Sequence, residues 1–254
     1  MSNNDEELIK SISKIIEEAM KENVAIQGFS VGTDIATNIY TKFKPELTDF
    51  NENELIASAT SFQYISKGLF AHIAKNDLNS SYLTVENHVI LMAIVKDVSA
   101  AAILNRKLAE LEGIIKYQKV LDNLLLKIAA FVETSDYITE DPMVKIMRAI
   151  PSATFLAIIS KEGLPIKIID NGKVQGPMVG SQVSALSNLT QVMMKTPMDY
   201  TILQGKGANI LIVQFDSERI LAISIPEHEK SNIGQYLARI KEIITSYEGS
   251  SFNF

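Results

Sequence analysis

One order of predicted elements occurs twice along this 254-residue chain. In the clearer second copy a short helix begins at Pro142, two apolar runs form a hairpin, and a helix, three strands and a last helix follow. Their expected ranges are 142–150, 153–160, 165–170, 177–195, 199–205, 208–215, 219–225 and 229–247. The turns between the strands are short, so consecutive strands are expected to be antiparallel neighbours. A chain that repeats one order of elements is built from two modules of one fold.

The first half of the chain repeats this order with a longer middle segment. Its expected elements lie at 5–21, 24–30, 34–40, 52–75, 81–86, 88–97, 100–105 and 106–132. Gly32 takes the place of Gly163 at the hairpin corner, and Asp97 takes the place of Asp216 at the later turn. Asn105 is the expected cap of the last helix.

The residue pattern also predicts which strands lie at the sheet edges. The runs 208–215 and 219–225 are apolar on nearly every residue, as in strands that are covered on both faces. The run 199–205 keeps polar residues, and 165–170 begins with a proline and contains Lys167, which suits edge strands. Each module is therefore predicted to be a five-stranded antiparallel sheet with helices on both faces, an α/β fold of the α+β type.

A polar stretch without helix or strand periodicity, residues 133–141, is the predicted linker between the two modules. The first module is expected to span 1–132 and the second 142–248. Residues 249–254 are a predicted flexible tail. Asp141 and Pro142 have the residue types of a helix N-cap and first helical position.

Composition and charge exclude several classes of protein. The absence of cysteine excludes disulfides, thiolate nucleophiles and cysteine-based zinc sites, and fits a reducing cytosol. A net charge of −6 does not suit a general nucleic-acid binder. The longest apolar run, 89–95, is too short to span a membrane, and the acidic N-terminal residues are not a secretory signal. We therefore expect a cytoplasmic protein that neither binds nucleic acid nor spans a membrane.

The sequence contains no recognisable catalytic, cofactor-binding or metal-binding pattern. The stretch LQGKGANI (203–210) lacks the spacing of a phosphate-binding loop and lies between two strands, which indicates a β-turn. His72, His88 and His228 fall on different elements without ligand spacing. No Ser-His-acid order or nucleophile elbow occurs. We expect no catalytic residue, no cofactor and no metal ion, and hence no enzyme.

Two stretches of the second module, FLAIISKEGLPIKIID (155–170) and ILIVQFDSERILAISIP (210–226), resemble the roadblock/dynein light-chain superfamily. The resemblance covers about 142–248. The first module shares the order of elements, with GFSVGTD in place of the Gly-Leu-Pro corner. The resemblance implies a sheet order of 2-1-5-4-3 and pairing of modules through the middle helix and third strand. It also implies binding to small Ras-like GTPases, whose hydrolysis some members stimulate while others act as scaffolds.

The residues that would pair the modules or bind a partner follow from that implied surface. They are Leu55, Phe62, Leu69, Val179, Val183, Leu186, Met193, Met194, Tyr200 and Leu203. Six of the nine methionines lie between 143 and 198, and methionine suits adaptable binding surfaces as well as gaps in a core. Met193 and Met194 are adjacent on a helix. One is therefore expected to face the core and the other a partner.

The function expected from the resemblance is non-catalytic regulation of a small Ras-like GTPase, as an activating protein or a scaffold, combined with self-association within or between chains. One alternative is a PAS-like sensor, which would need a ligand cavity inside the sheet and helix layers. Another is a structural dimerisation module that ignores the nucleotide state. The chain has four arginines, and none is predicted to lie on a loop that could reach into a GTPase.

Overall fold

The computed structural model describes residues 3–48, 50–75, 77–78, 80–134, 141–170 and 176–248. The chain divides into two compact units, residues 1–139 and 140–254, which contain the first and the second module. Most of the predicted linker, residues 135–140, lies outside the described residues, and so does the predicted tail 249–254.

The first module is a five-stranded antiparallel sheet with helices on both faces. Its elements are α1 (Asn3–Glu22), β1 (Ile26–Thr33), β2 (Asn38–Phe43), α2 (Glu52–Ala74), β3 (Ser80–Thr84), β4 (His88–Val95), β5 (Val98–Asn105), α3 (Arg106–Glu112) and α4 (Ile114–Thr134). The strands lie in the order β2-β1-β5-β4-β3. This is the order that the sequence resemblance implied.

The second module repeats this architecture. Its elements are α5 (Pro142–Ala149), β6 (Phe155–Ser160), β7 (Pro165–Asp170), α6 (Gly176–Met194), β8 (Tyr200–Gln204), β9 (Ala208–Gln214), β10 (Arg219–Pro226), a 3-10 helix (Glu227–Asn232) and α7 (Ile233–Glu248). The strand order is β7-β6-β10-β9-β8, the same as in the first module. The two predicted edge strands, β7 and β8, are at the edges of the sheet, which confirms that prediction.

The middle strand of each sheet is buried between helices. In β5, Ala102 and Leu104 belong to the core formed with α1 and α4, whereas Ala101 and Ile103 belong to the core under α2. Alternate side chains of a strand point to opposite faces, so an uninterrupted apolar strand supplies both cores. Strand β10 has the same position in the second module, where Ala222 packs in the core under α6.

Two predicted helix caps are confirmed. The side chain of Asn105 accepts a hydrogen bond from the Leu108 backbone N–H at 3.1 Å and so caps α3. The side chain of Asp141 accepts one from the Met143 N–H at 2.8 Å, and Pro142 occupies the first turn of α5. Both caps satisfy backbone donors that have no partner within their own helix.

The prediction of one continuous helix over 106–132 was wrong. Gly113 adopts a φ of 92° and separates α3 from α4. The Glu112 carboxylate ties the two helices together across this break, because it accepts hydrogen bonds from Lys116 at 2.5 Å and from the Tyr117 hydroxyl at 2.8 Å. Burial, followed by this contact with Glu112, raises the pKa of Tyr117 to about 12. The closing helix also differs from the prediction, since α7 begins at Ile233 after the 3-10 helix.

Gly32 does not form the hairpin corner that the sequence predicted. It remains in β1 opposite Asn38, beside a register shift, and Ala36 in the following turn has the positive φ of 64°. A Cβ at Gly32 would lie 2.6 Å from the Ile56 side chain and 2.6 Å from the Thr37 carbonyl oxygen. Position 32 therefore requires glycine, because there is no space for a Cβ atom. At Gly163, by contrast, the φ of 89° is the left-handed conformation that glycine favours.

The corner at Gly163 also positions α6. A Cβ at Gly180 would lie 2.3 Å from the Gly163 carbonyl oxygen, so the helix approaches the β6–β7 corner more closely than any larger residue permits. The Ser184 hydroxyl donates a hydrogen bond to the Lys161 carbonyl at the same corner, at 2.5 Å. These contacts fix the N-terminal half of α6.

We therefore expect Gly180→Ala to destabilise the second module by about 1–3 kcal/mol, because the added methyl group meets rigid backbone. Gly68→Ala is the matched control. A Cβ at Gly68, in α2, meets nothing within 4 Å, so this change should stabilise the protein by up to about 1 kcal/mol through helix propensity. Urea unfolding followed by circular dichroism measures both. Equal changes in unfolding free energy for the two substitutions would contradict the close approach of α6 to the β6–β7 corner.

Candidate functional site

The C-terminal half of α2 exposes apolar side chains. Leu55, near the start of the helix, is buried at 9% exposure, whereas Leu69 is 60% exposed and Ile73 is 71% exposed. The neighbouring edge strand β3 adds Tyr82 at 50% exposure. We call the exposed group the first face. It consists of Phe62, Leu69, Phe70, Ile73 and Tyr82.

A hydrogen-bonded glutamine holds α2 beside the strands that border this face. The side-chain amide of Gln63 is buried and donates to the Ser81 hydroxyl of β3 at 2.8 Å, and also to the Met92 carbonyl of β4. A buried amide without these partners would cost free energy, so the bonds fix the register of the helix against β3. Helix and edge strand thereby present their apolar residues as one surface.

The second module exposes a corresponding surface. Val183 is buried and packs on the sheet, but the last two turns of α6 expose apolar side chains, among them Met193 at 76% and Met194 at 65%. On the edge strand β8, Tyr200 is 45% exposed and Leu203 38%. We call this group the second face. It consists of Leu189, Val192, Met193, Met194, Tyr200 and Leu203.

The edge strands of the two faces carry no protection against pairing with another strand. Sheet edges are commonly guarded by charged residues or proline, because their free backbone groups can pair with another chain. Strand β2 carries Lys42, and β7 carries Pro165 and Lys167. Strands β3 (SSYLT) and β8 (YTILQ) have neither a charged residue nor a proline. The two unguarded edges thus lie at the two apolar faces.

The structure divides the predicted pairing residues into two groups. Leu55 and Val183 are buried, and Val179 and Leu186 pack against the core of the second module. The exposed members are Phe62, Leu69, Met193, Met194, Tyr200 and Leu203. The expectation that one of Met193 and Met194 faces the core was wrong, because both side chains are exposed, at 76% and 65%.

Sequence reasoning missed five of the eleven residues of the two faces. The missed residues are Phe70, Ile73, Tyr82, Leu189 and Val192. One signal could have found Phe70 and Val192. Adjacent apolar pairs at the end of an amphipathic helix, such as Leu69–Phe70, place side chains on two sides of the helix, and only one side can pack on the sheet.

Three arginines are bonded within their own modules. Arg219 is 6% exposed, donates to the Asp216 carboxylate at 2.7 Å and lies over the Phe215 ring at 4.7 Å. Arg106 donates to a glutamate one turn along α3, and Arg239 donates to a backbone carbonyl of α5. The fourth, Arg148, lies on α5.

The groups with shifted pKa values lie on separate elements, and local contacts explain them. Burial and the neighbouring Glu17 raise the pKa of Tyr40 on β2. Burial alone raises the pKa of Asp122 on α4. Hydrogen bonds from Asn232 and Tyr236 lower the pKa of Glu229 in the 3-10 helix.

In the part of the chain that the structure describes, no three His, Asp or Glu side chains are grouped so that they could hold a metal ion. No helix in these ranges combines the length and the apolar character that crossing a bilayer requires. A shallow cavity of about 480 Å³ lies between the end of α1 and the end of β2, and Met20, Val24 and Phe43 are among its lining residues.

Two leucine-to-alanine substitutions, one in each half of α2, test whether the first half is buried and the second exposed. Leu55→Ala should cost about 2–5 kcal/mol of unfolding free energy, as in other cores. Leu69→Ala should change it by less than about 0.5 kcal/mol in dilute solution, because the side chain is exposed. Urea unfolding at low protein concentration measures both. A similar loss at the two positions would show that Leu69 is already part of a core.

No protein-family model and no curated protein matches the sequence. Solved structures that are similar to the chain include MglB and roadblock/LC7 domain proteins. MglB from Myxococcus xanthus is 15% identical, with a TM-score of 0.36, over 46% of this chain and 97% of that protein. A roadblock/LC7 domain from Streptomyces avermitilis is 10% identical, with a TM-score of 0.37, over 44% and 97%.

Proposed function

We propose that this protein is a non-catalytic regulator of a small Ras-like GTPase, and that its modules associate through the first and second faces, within or between chains. One observation carries the proposal: both modules expose an apolar surface on the same helix and strand, next to an unguarded sheet edge. Contiguous exposed apolar patches mark sites of protein–protein interaction. The GTPase is what the sequence resemblance implies.

Association of the faces would complete two unfinished parts of each module. The exposed ends of α2 and α6 would bury their apolar side chains, which is favourable by about 25 cal/mol per Å² removed from water. The edge strands β3 and β8 would gain partners for backbone groups that now face solvent. Paired modules would then form one rigid platform on which a GTPase can bind.

A ligand sensor receives less support from the geometry. In a PAS-like sensor the ligand cavity lies between sheet and helices, but here Ala101, Ile103 and Met92 fill that layer in the first module. The cavity of about 480 Å³ lies instead at the outer edge, between α1 and β2.

Nucleotide-dependent capture distinguishes a GTPase regulator from a structural dimerisation module. We expect the immobilised protein to retain a GTPase from native extract more strongly with a non-hydrolysable GTP analogue than with GDP, or the reverse. Leu69→Asp and Met193→Asp should reduce capture at least about tenfold, the effect of roughly 1.4 kcal/mol. Leu111→Asp is the control, because Leu111 is 83% exposed on α3, outside both faces. Capture that ignores the nucleotide would favour the structural module.

If the protein accelerates GTP hydrolysis, we expect it to do so by orienting the catalytic groups of the GTPase. An arginine finger would contribute about 10³ to 10⁵ in rate, but it needs a guanidinium that can reach into the partner. Arg219 is buried against Asp216, and Arg106 and Arg239 are bonded within their modules. Rigid positioning of reacting groups is the alternative source of acceleration.

Single alanine substitutions of Arg106, Arg148, Arg219 and Arg239 test this mechanism. Single-turnover hydrolysis by the captured GTPase should fall only modestly, and similarly, for each variant that keeps its fold. A loss near 10³ from one substitution, with binding intact, would identify an arginine finger and contradict the proposal. Binding without any stimulation of hydrolysis by the parent protein would identify a scaffold.

A further inference from the structure

The cavity of about 480 Å³ at the outer edge of the first module lies between the end of α1 and the end of β2. All of its lining residues fall between Glu17 and Lys44, so the first module forms the cavity alone. None of them belongs to the first face or the second face. Small-molecule sites in proteins typically have volumes of about 300–1,000 Å³, and this cavity falls within that range.

The apolar part of the lining comes from α1 and from the turn that follows it. Met20, near the end of α1, is 7% exposed and belongs to the core that α1 and α4 form with the sheet, so the cavity reaches that core. Val24, in the turn between α1 and β1, is 66% exposed. The methylene stems of the lining lysines add further apolar area. The cavity therefore suits a ligand with an apolar body.

The charged part of the lining is mainly positive. It consists of Lys21, Lys42, Lys44 and Glu17, so three positive charges and one negative charge give a formal charge of +2. The whole chain has a net charge of −6. A positively charged cavity raises the local concentration of anions even when the rest of the protein repels them. The lining therefore favours a ligand that is negatively charged.

Contacts within the module hold two of these lysines at the cavity. The Lys44 ammonium donates a hydrogen bond to the Val24 carbonyl at 2.9 Å, which ties the residue after β2 to the turn after α1. The Lys42 ammonium lies 3.5 Å from the Glu17 carboxylate, which also accepts a hydrogen bond from the Tyr40 hydroxyl at 3.5 Å. Because an ammonium group has three N–H donors, each lysine can keep its contact and donate to a ligand as well.

We propose that this cavity binds a small amphipathic anion, a free molecule with a short apolar body and one carboxylate or phosphate group. The apolar body contacts Met20 and Val24, and the anionic group accepts hydrogen bonds from the lysine ammonium groups. A neutral molecule of the same shape gains only the apolar contact, and a cationic one is repelled, so the charges of the lining give the site its specificity. The site is independent of the proposed association of the modules.

Methyl NMR of the full chain, labelled with ¹³C at its methionine methyl groups, tests the site with octanoate as the probe. We expect the Met20 signal to shift to saturation while the signals of Met193 and Met194 stay in place. The volume-conserving change Met20→Leu assigns the signal by removing it. Octan-1-ol and octylammonium have the same chain length as octanoate and should bind at least about fivefold more weakly, the effect of about one close charge contact in water.

Lysine substitutions test which charges hold the anion. Lys21→Gln and Lys44→Gln should each weaken octanoate binding by at least about threefold and leave octan-1-ol binding unchanged, because only the charge contact is lost. Lys107→Gln is the matched control. It changes the net charge of the chain by the same amount, but Lys107 is exposed on α3 and does not line the cavity. Octanoate binding to this variant should equal that of the parent protein.

A pair of substitutions at Val24 guards against effects on folding. Val24→Asp places a carboxylate at the cavity, and Val24→Asn has nearly the same shape without the charge. Both changes lie in a turn at an exposed side chain, so circular dichroism should show the spectrum of the parent protein. The aspartate variant should bind octanoate at least about threefold more weakly than the asparagine variant, because like charges repel.

Three results would overturn the proposal. The first is a Met20 signal that does not move with octanoate, or that moves equally with octan-1-ol. The second is an equal loss of octanoate binding in Lys107→Gln and Lys44→Gln, which would assign the effect to the net charge of the chain. The third is sedimentation of the protein with phosphatidylglycerol vesicles without any response to octanoate, which would assign the lysines to a lipid surface.

Discussion

The burial of one central strand on both faces is the constraint on which each module depends. Strands β5 and β10 are apolar at nearly every position, so both of their faces must be covered by helices. In the first module α1 and α4 cover one face of the sheet and α2 covers the other. The helix layers, the flanking strands and the positions of the edges follow from that requirement.

The same requirement leaves two surfaces uncovered. The middle helix of each module must pass over the sheet, and its N-terminal half does so with residues such as Leu55 and Val183. The C-terminal half keeps an apolar side exposed. Each module also has an unguarded edge strand, β3 or β8, so it offers both free apolar area and free backbone groups.

The two apolar faces fit the proposed regulatory role, because contiguous exposed apolar patches mark sites of protein–protein interaction. The polar side chains of the described residues mainly cap helices, join helices to strands or pair locally, as Asn105, Gln63 and Arg219 do. In the proposed association the apolar faces would be buried, and the paired modules would form a rigid platform. A rigid platform can act on a GTPase by holding groups that the GTPase itself supplies.

The sequence by itself determined the repeat, the order of elements, the edge strands and two helix caps, because these depend on periodicity and on local hydrogen bonding. The tertiary structure decided where exposure begins along each middle helix. Periodicity shows which residues share one side of a helix, but it does not show how far along the helix the core reaches, so Met193 and Met194 could not be assigned. The tertiary structure also decided that Gly32 is needed for space beside Ile56 and that Gly113 breaks the last helix. Gly32 is required by its close neighbours, and Gly113 adopts a backbone angle that glycine permits but does not impose. The sequence therefore could not predict either role.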